Sequence, residues 1–86
     1  MDDQLATWLY EGAMALTEGD KDRARDLLLQ VVEADEANEV AWLWLSGAVD
    51  DPLDQRTALE NVLALNPENE HALFGLEVLD RQEAGR

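Results

Sequence analysis

The chain has 86 residues, no cysteine, and twenty acidic side chains against six basic ones, a formal net charge of −14. That length makes one small domain with a thin core, and the missing thiols exclude disulfides and thiolate chemistry and favour an intracellular, cytoplasmic setting. The acidity disfavours nucleic acid and anionic membranes as partners, because binding either one relies on Lys and Arg to displace counterions.

Nothing in the sequence reads as a targeting or spanning segment. Met1-Asp2-Asp3-Gln4 is acidic where a secretory signal is basic. The longest apolar run, Val40 to Leu45, is too short to cross a bilayer. Leucine, valine and alanine dominate the apolar residues, no stretch alternates for long, and the periodicity throughout is helical.

Residues 3–17 read as a first helix, with Leu5, Trp8, Leu9, Gly12 or Ala13, and Leu16 at three-four spacing. Gly19 suits a left-handed stop, and Asp20 caps the next helix, with Asp22 in its first turn. The second helix covers 21–35. Its inner stripe is Ala24, Leu27, Leu28, Val31 and Ala34, widened by Leu29 and Val32. Asn38 caps a third helix over 39–49. Asp51-Pro52 opens a fourth to Leu65, with Ala58, Leu59, Val62, Leu63 and Leu65 as its apolar set. Asn66-Pro67 breaks it, and Asn69 caps a fifth over 70–83, built on Ala72, Leu73, Leu76 and Leu79; residues 82–86 are expected to fray. Short connections make neighbouring helices antiparallel.

Two segments repeat. Asn38-Glu39-Val40-Ala41 returns as Asn69-Glu70-His71-Ala72, 31 residues later, and the preceding Val31-Val32 lines up with Val62-Leu63. A fixed period of about 20–50 residues marks stacked repeat units.

These residues resemble the tetratricopeptide repeat family, whose unit is a helix-turn-helix of about 34 residues. Trp8 and Gly12 match its first-helix tryptophan and small residue, and Ala24, Leu28 and Val31 its second-helix positions. In a second unit, Trp42, Leu45 and Ser46 take the first-helix places, and Leu59, Val62 and Pro67 the second-helix ones. Two departures stand out: Glu36 replaces the closing proline of the first unit, and the second unit is about three residues short around Asp50 to Asp54, which implies a tighter loop. The expectation is an all-α domain of stacked antiparallel hairpins, an α-solenoid with one unit over 3–35, another over 38–66 and a capping helix over 69–83.

The resemblance implies a concave groove lined by the first helix of each unit. Ala6, Leu9, Tyr10, Ala13 and Thr17 would form one wall. Val40, Leu43, Trp44 and Gly47 would form the middle, and His71, Phe74 and Val78 the far wall. The Lys, Arg and Asn clamp that some members use for a terminal carboxylate lacks its basic residues here. Glu11, Asp50, Asp51 and Glu77 would give the groove an acidic rim. Trp42 and Trp44, two apart on a helix, face different sides; Trp42 belongs to the core. Trp44 either anchors a partner, with Leu43, Tyr10 and Phe74, or completes the core.

Other chemistry is thin. His71 is the one histidine and Ser46 the one serine, and catalysis needs converging groups. Asp20, Asp22 and Asp26 lack the glycine and twelfth-position glutamate of a calcium loop and read as capping residues; so do Asp50, Asp51 and Asp54. No cofactor or metal is expected. The function read from sequence is a non-enzymatic interaction module that docks an apolar peptide or helix with basic flanks; the alternative is self-association through the same surface. Two units plus one helix sit near the lower size limit for a stable stack. The expected unfolding free energy is about 3–7 kcal/mol, measurable by urea titration, and a midpoint typical of hyperstable proteins contradicts it.

Overall fold

The computed structural model describes residues 3–85, and every regular element among them is a helix: α1 (Asp3–Thr17), α2 (Lys21–Ala34), α3 (Glu39–Ala48), α4 (Pro52–Leu65) and α5 (Glu70–Ala84). The all-α expectation holds, with each boundary within a residue of its predicted place. None of these helices is long and apolar enough to cross a membrane.

The helix starts follow from local chemistry. The first N–H groups of a helix have no intrahelical acceptor, and a short polar side chain just before them supplies one. Asp20, Asn38, Asp51 and Asn69 do this, accepting from the backbone N–H of Arg23, Ala41, Leu53 and Ala72. Pro52 occupies the first turn of α4, where a missing N–H costs nothing. Gly19, at φ +85°, reverses the chain after α1. Its N–H donates to the Leu16 carbonyl and that of Asp20 to Ala15, the paired bonds of a left-handed helix stop.

The duplicated sequence is a duplicated turn. Asp35 N–H donates to the Val31 carbonyl at 2.8 Å, and Asn66 N–H to Val62 at 2.8 Å. The Asp35 and Asn66 side chains then accept from the N–H of Ala37 and Glu68, two residues on. The two copies are also joined. Glu39, which follows the first capping Asn, accepts from Asn66 Nδ2 at 3.0 Å and from Asn69 Nδ2, the second capping Asn, at 2.6 Å. These amides, Asn69 before Asn66, hold the Glu39 carboxyl below its ordinary value of 4.5.

Consecutive helices pack pairwise, and α1 also reaches α3, in a body of 42 × 27 × 17 Å. Two apolar clusters result. The first joins Ala15 of α1, Ala24, Leu28, Val31 and Val32 of α2, and Ala41, Leu45 and Ala48 of α3. The second joins Leu59 and Val62 of α4 to Ala72 and Leu79 of α5. Half-buried Trp42 packs against both clusters, and its indole N–H donates to the Glu36 carbonyl at 2.9 Å. Two glycines let helices approach. A Cβ on Gly12 would lie 2.8 Å from Leu28 Cγ, and one on Gly75 2.9 Å from Leu59 Cδ1.

Four expectations are corrected or refined. The shortening of the second unit lies in a helix and not in a loop: both hairpin connections have three residues, 18–20 and 49–51, whereas α3 has 10 residues against 15 in α1. Ala34, Leu65 and Leu73, assigned to apolar stripes, are exposed, because each lies on the flank of its helix that no neighbour covers. Helix α5, expected to loosen from residue 82, is helical to Ala84; Arg56 of α4 reaches across to Asp80 at 2.7 Å and Glu83 at 3.4 Å, and Gly85 N–H donates to the Arg81 carbonyl. Arg86, part of the same expectation, lies outside the described residues. The acids assigned to the groove's rim have partners within the chain that, the Asp51 cap aside, the sequence did not reveal: Glu11 lies 3.8 Å from Arg23, Asp50 pairs with Lys21 at 2.7 Å, Asp51 caps α4, and Glu77 pairs with Arg81.

Two predictions follow from the seam between the clusters. Trp42→Ala should lower stability by about 3 kcal/mol, the low end for losing a large core aromatic, whereas Trp42→Phe should lose only about 1 kcal/mol with the indole hydrogen bond; urea midpoints compare the two. Glu39 has a depressed folded pKa, so its contribution is present above pH 4.5 and lost as pH falls through the folded value. The melting temperature of Glu39→Gln should therefore lie below wild type at neutral pH and converge with it in acid. The exposed Glu60→Gln serves as the control for a lost negative charge.

Candidate functional site

On the side where α1, α3 and α5 meet, the surface carries two open hollows. One, of about 420 Å³, is lined by Leu16 of α1, by Leu43, Trp44, Ser46 and Gly47 of α3, and by His71 of α5. The other, of about 310 Å³, lies between α3, α4 and α5 and includes Leu43, Leu59, Phe74, Gly75 and Val78. They share Leu43, Ser46 and His71, so they form one trough that crosses α3.

The trough floor comes from the way α3 is used up. Ala41, Leu45 and Ala48 turn into the first cluster, and Trp42 and Leu43 pack toward the second. Trp44 is half-buried; one side packs on the first cluster and the other lines the trough. It is therefore both a core and a surface residue. Trp42 lines a different hollow, with Arg25 and Leu29 of α2 and Thr57 of α4, so the two tryptophans do face opposite ways.

Of the sequence-assigned groove residues, Leu43, Trp44, Gly47, His71, Phe74 and Val78 come together here. Four do not. Tyr10, 67 % exposed, lines a separate hollow with Glu11, Met14 and Arg23 where α1 meets α2. Leu9 packs against the first cluster, Ala13 is half-buried, and Val40 is 50 % exposed; none lines the trough. Ala6 and Thr17 are exposed and likewise outside it. Leu16, Ser46, Gln55, Gly75 and Gln82 are additional lining residues. Their signal was partly present: His71, Gly75, Val78 and Gln82 continue one three-four stripe along α5.

The trough is poor in free polar groups. Ser46 Oγ donates to the Leu43 carbonyl at 2.6 Å, and Gln55 Nε2 to the Val49 carbonyl at 2.9 Å. Ser46 and His71 share the trough, but the hydroxyl is bonded to the backbone of its own helix, not to the imidazole. His71 and Gln82 have no side-chain partner among the described residues. No three His, Asp or Glu among the described residues sit where they could hold a metal ion. Asp20 and Asp51 cap helices, and Asp22 and Asp26 pair with Arg25. Chemically, the arrangement suits a row of apolar side chains laid along α3.

Comparison with protein-family models, curated proteins and solved structures gives no match for the chain.

Proposed function

We propose that the chain is a tetratricopeptide-like helical-repeat module that works by docking a segment of another protein in the trough, without chemistry of its own. The observation that carries this reading is the trough itself. Leu43, Trp44, Phe74 and Val78 keep apolar surface open to solvent on one face, and contiguous apolar surface on a small domain marks an interaction site. The duplicated turn and the pairwise packing of successive helices support the repeat part of the reading.

The occupant is an apolar segment, helical or extended, with basic residues around its anchors. The net charge of −14 favours a cationic partner. It opposes pairing of two copies, each carrying the same charge. The rim acids expected from sequence add little to this, because intramolecular partners already hold them.

Phe74 is the cleanest probe. It is 63 % exposed and lines the trough, whereas Trp44 also packs on the core and its truncation mixes binding with stability. Affinity capture from the source cell should recover a partner on wild type and on Leu53→Asp, which alters an exposed leucine of α4 away from the trough. Phe74→Asp should lose that partner with its helicity unchanged. Equal capture by both variants would sink the reading.

A further inference from the structure

Resting on the docking reading, we infer that Gly47 sets which partner the trough accepts: its missing side chain opens a seat for one bulky apolar anchor of a cationic segment.

The chain has five glycines, and four have a task in the fold. Gly12 and Gly75 sit where a Cβ would collide with a leucine of the neighbouring helix, Gly19 takes a positive φ, and Gly85 caps α5. Gly47 has no such task. It lies inside α3, and Gly19 is the only glycine with positive φ among the described residues, so the backbone at 47 accepts any L-residue. Its position is exposed. A Cβ there would meet only Leu16 Cδ2, at 3.3 Å, the far end of a flexible side chain. Alanine would favour the helix more than glycine.

What glycine does at 47 is leave space. The residue lines the 420 Å³ hollow between Leu16, Trp44 and His71, room for a leucine- or phenylalanine-sized group. Any side chain at 47 would project into that hollow or push Leu16 across it. An aromatic or branched anchor seated against the Trp44 ring and Leu16 would be desolvated on several sides, the setting in which one residue dominates an interface.

Charge selects the flanks of this anchor. Glu70, next to His71, is exposed and has no side-chain partner among the described residues. Lys or Arg near the anchor would meet this carboxylate and the chain's net charge of −14, which a second copy of this acidic chain would not relieve.

The test uses a random twelve-residue peptide display library, selected separately on wild type, Gly47→Leu, Gly47→Ala and the double variant His71→Asp/Phe74→Asp, which alters two exposed lining residues. Wild type should enrich peptides with one bulky apolar residue between Lys or Arg. A synthetic peptide of that consensus should bind Gly47→Leu about tenfold more weakly, the scale of losing one anchor, while the melting temperature stays level or rises. Gly47→Ala should weaken it less and also covers a failure of Gly47→Leu to fold. If the glycine variants select and bind the same peptides as wild type, and the double variant selects none, the Gly47 seat is wrong and the docking trough stands. No enrichment on wild type, or enrichment that survives the double variant, overturns both. Sedimentation of the same samples gives the remaining outcome: a wild-type dimer that Gly47→Leu makes monomeric assigns the seat to a second copy and overturns the cationic partner.

Discussion

The fold depends on Trp42, because the two apolar clusters otherwise share no side chain. One cluster is built by α1, α2 and α3, and the other by α4 and α5. A ten-residue helix has to serve both, and the consequence is visible in its composition. Between Glu39 and Ala48 there is no charge except Glu39 itself, so α3 is apolar on nearly every side. A helix of that kind is stable only when neighbours cover it. Here α1, α2 and α4 cover three directions, and the fourth, carrying part of Leu43, part of Trp44 and Gly47, is left open as the trough.

Glu39 supports the same seam from its polar end. Helix α3 begins with a carboxylate that suits the positive end of the helix dipole, and that carboxylate reaches the two asparagines framing the turn between α4 and α5. The first copy of the repeated segment thus holds the second in register. The other ion pairs lie at the surface, with most of their charged groups well exposed, and pairs of that kind contribute little to stability. Arg56 is the least exposed of the paired cations, and it fastens the last turns of α5. Apolar burial and capping therefore carry the fold, and the surplus of carboxylates adds little to it.

The helices were legible in the sequence because their starts and stops are local. A capping side chain two or three residues from its N–H partner, a proline in a first turn and a glycine at positive φ all act within one turn of chain. The position of the trough was legible in part. The family resemblance placed Leu43 with Trp44 and His71 with Phe74 and Val78, while three-four spacing orders residues only around their own helix. Such spacing carries no information on which neighbour each face meets. Tyr10 follows that spacing on α1 yet faces the side where α1 meets α2. The partners of the rim acids were hidden for the same reason: Lys21 and Asp50 are 29 residues apart in the chain, and a contact of that separation has no local signature.

The mismatch between the repeats is where fold and site meet. Trp44 in α3 corresponds to Gly75 in α5, 31 residues on. Sequence alone suggests that the glycine makes room for a partner beside Phe74. In the structure its first task is packing, because a Cβ at 75 would lie 2.9 Å from Leu59 of α4. Close approach of α5 to α4 at Gly75 leaves that glycine and Leu59 together in the lining of the trough. Gly75 therefore opens the trough as a consequence of stabilising the second cluster. Gly47 opens it with a small return in packing, since a Cβ there would crowd only the end of the Leu16 side chain, at 3.3 Å. Two glycines along one trough thus have different physical origins: Gly75 answers to the packing of α5 on α4, whereas Gly47 faces only the end of one flexible side chain.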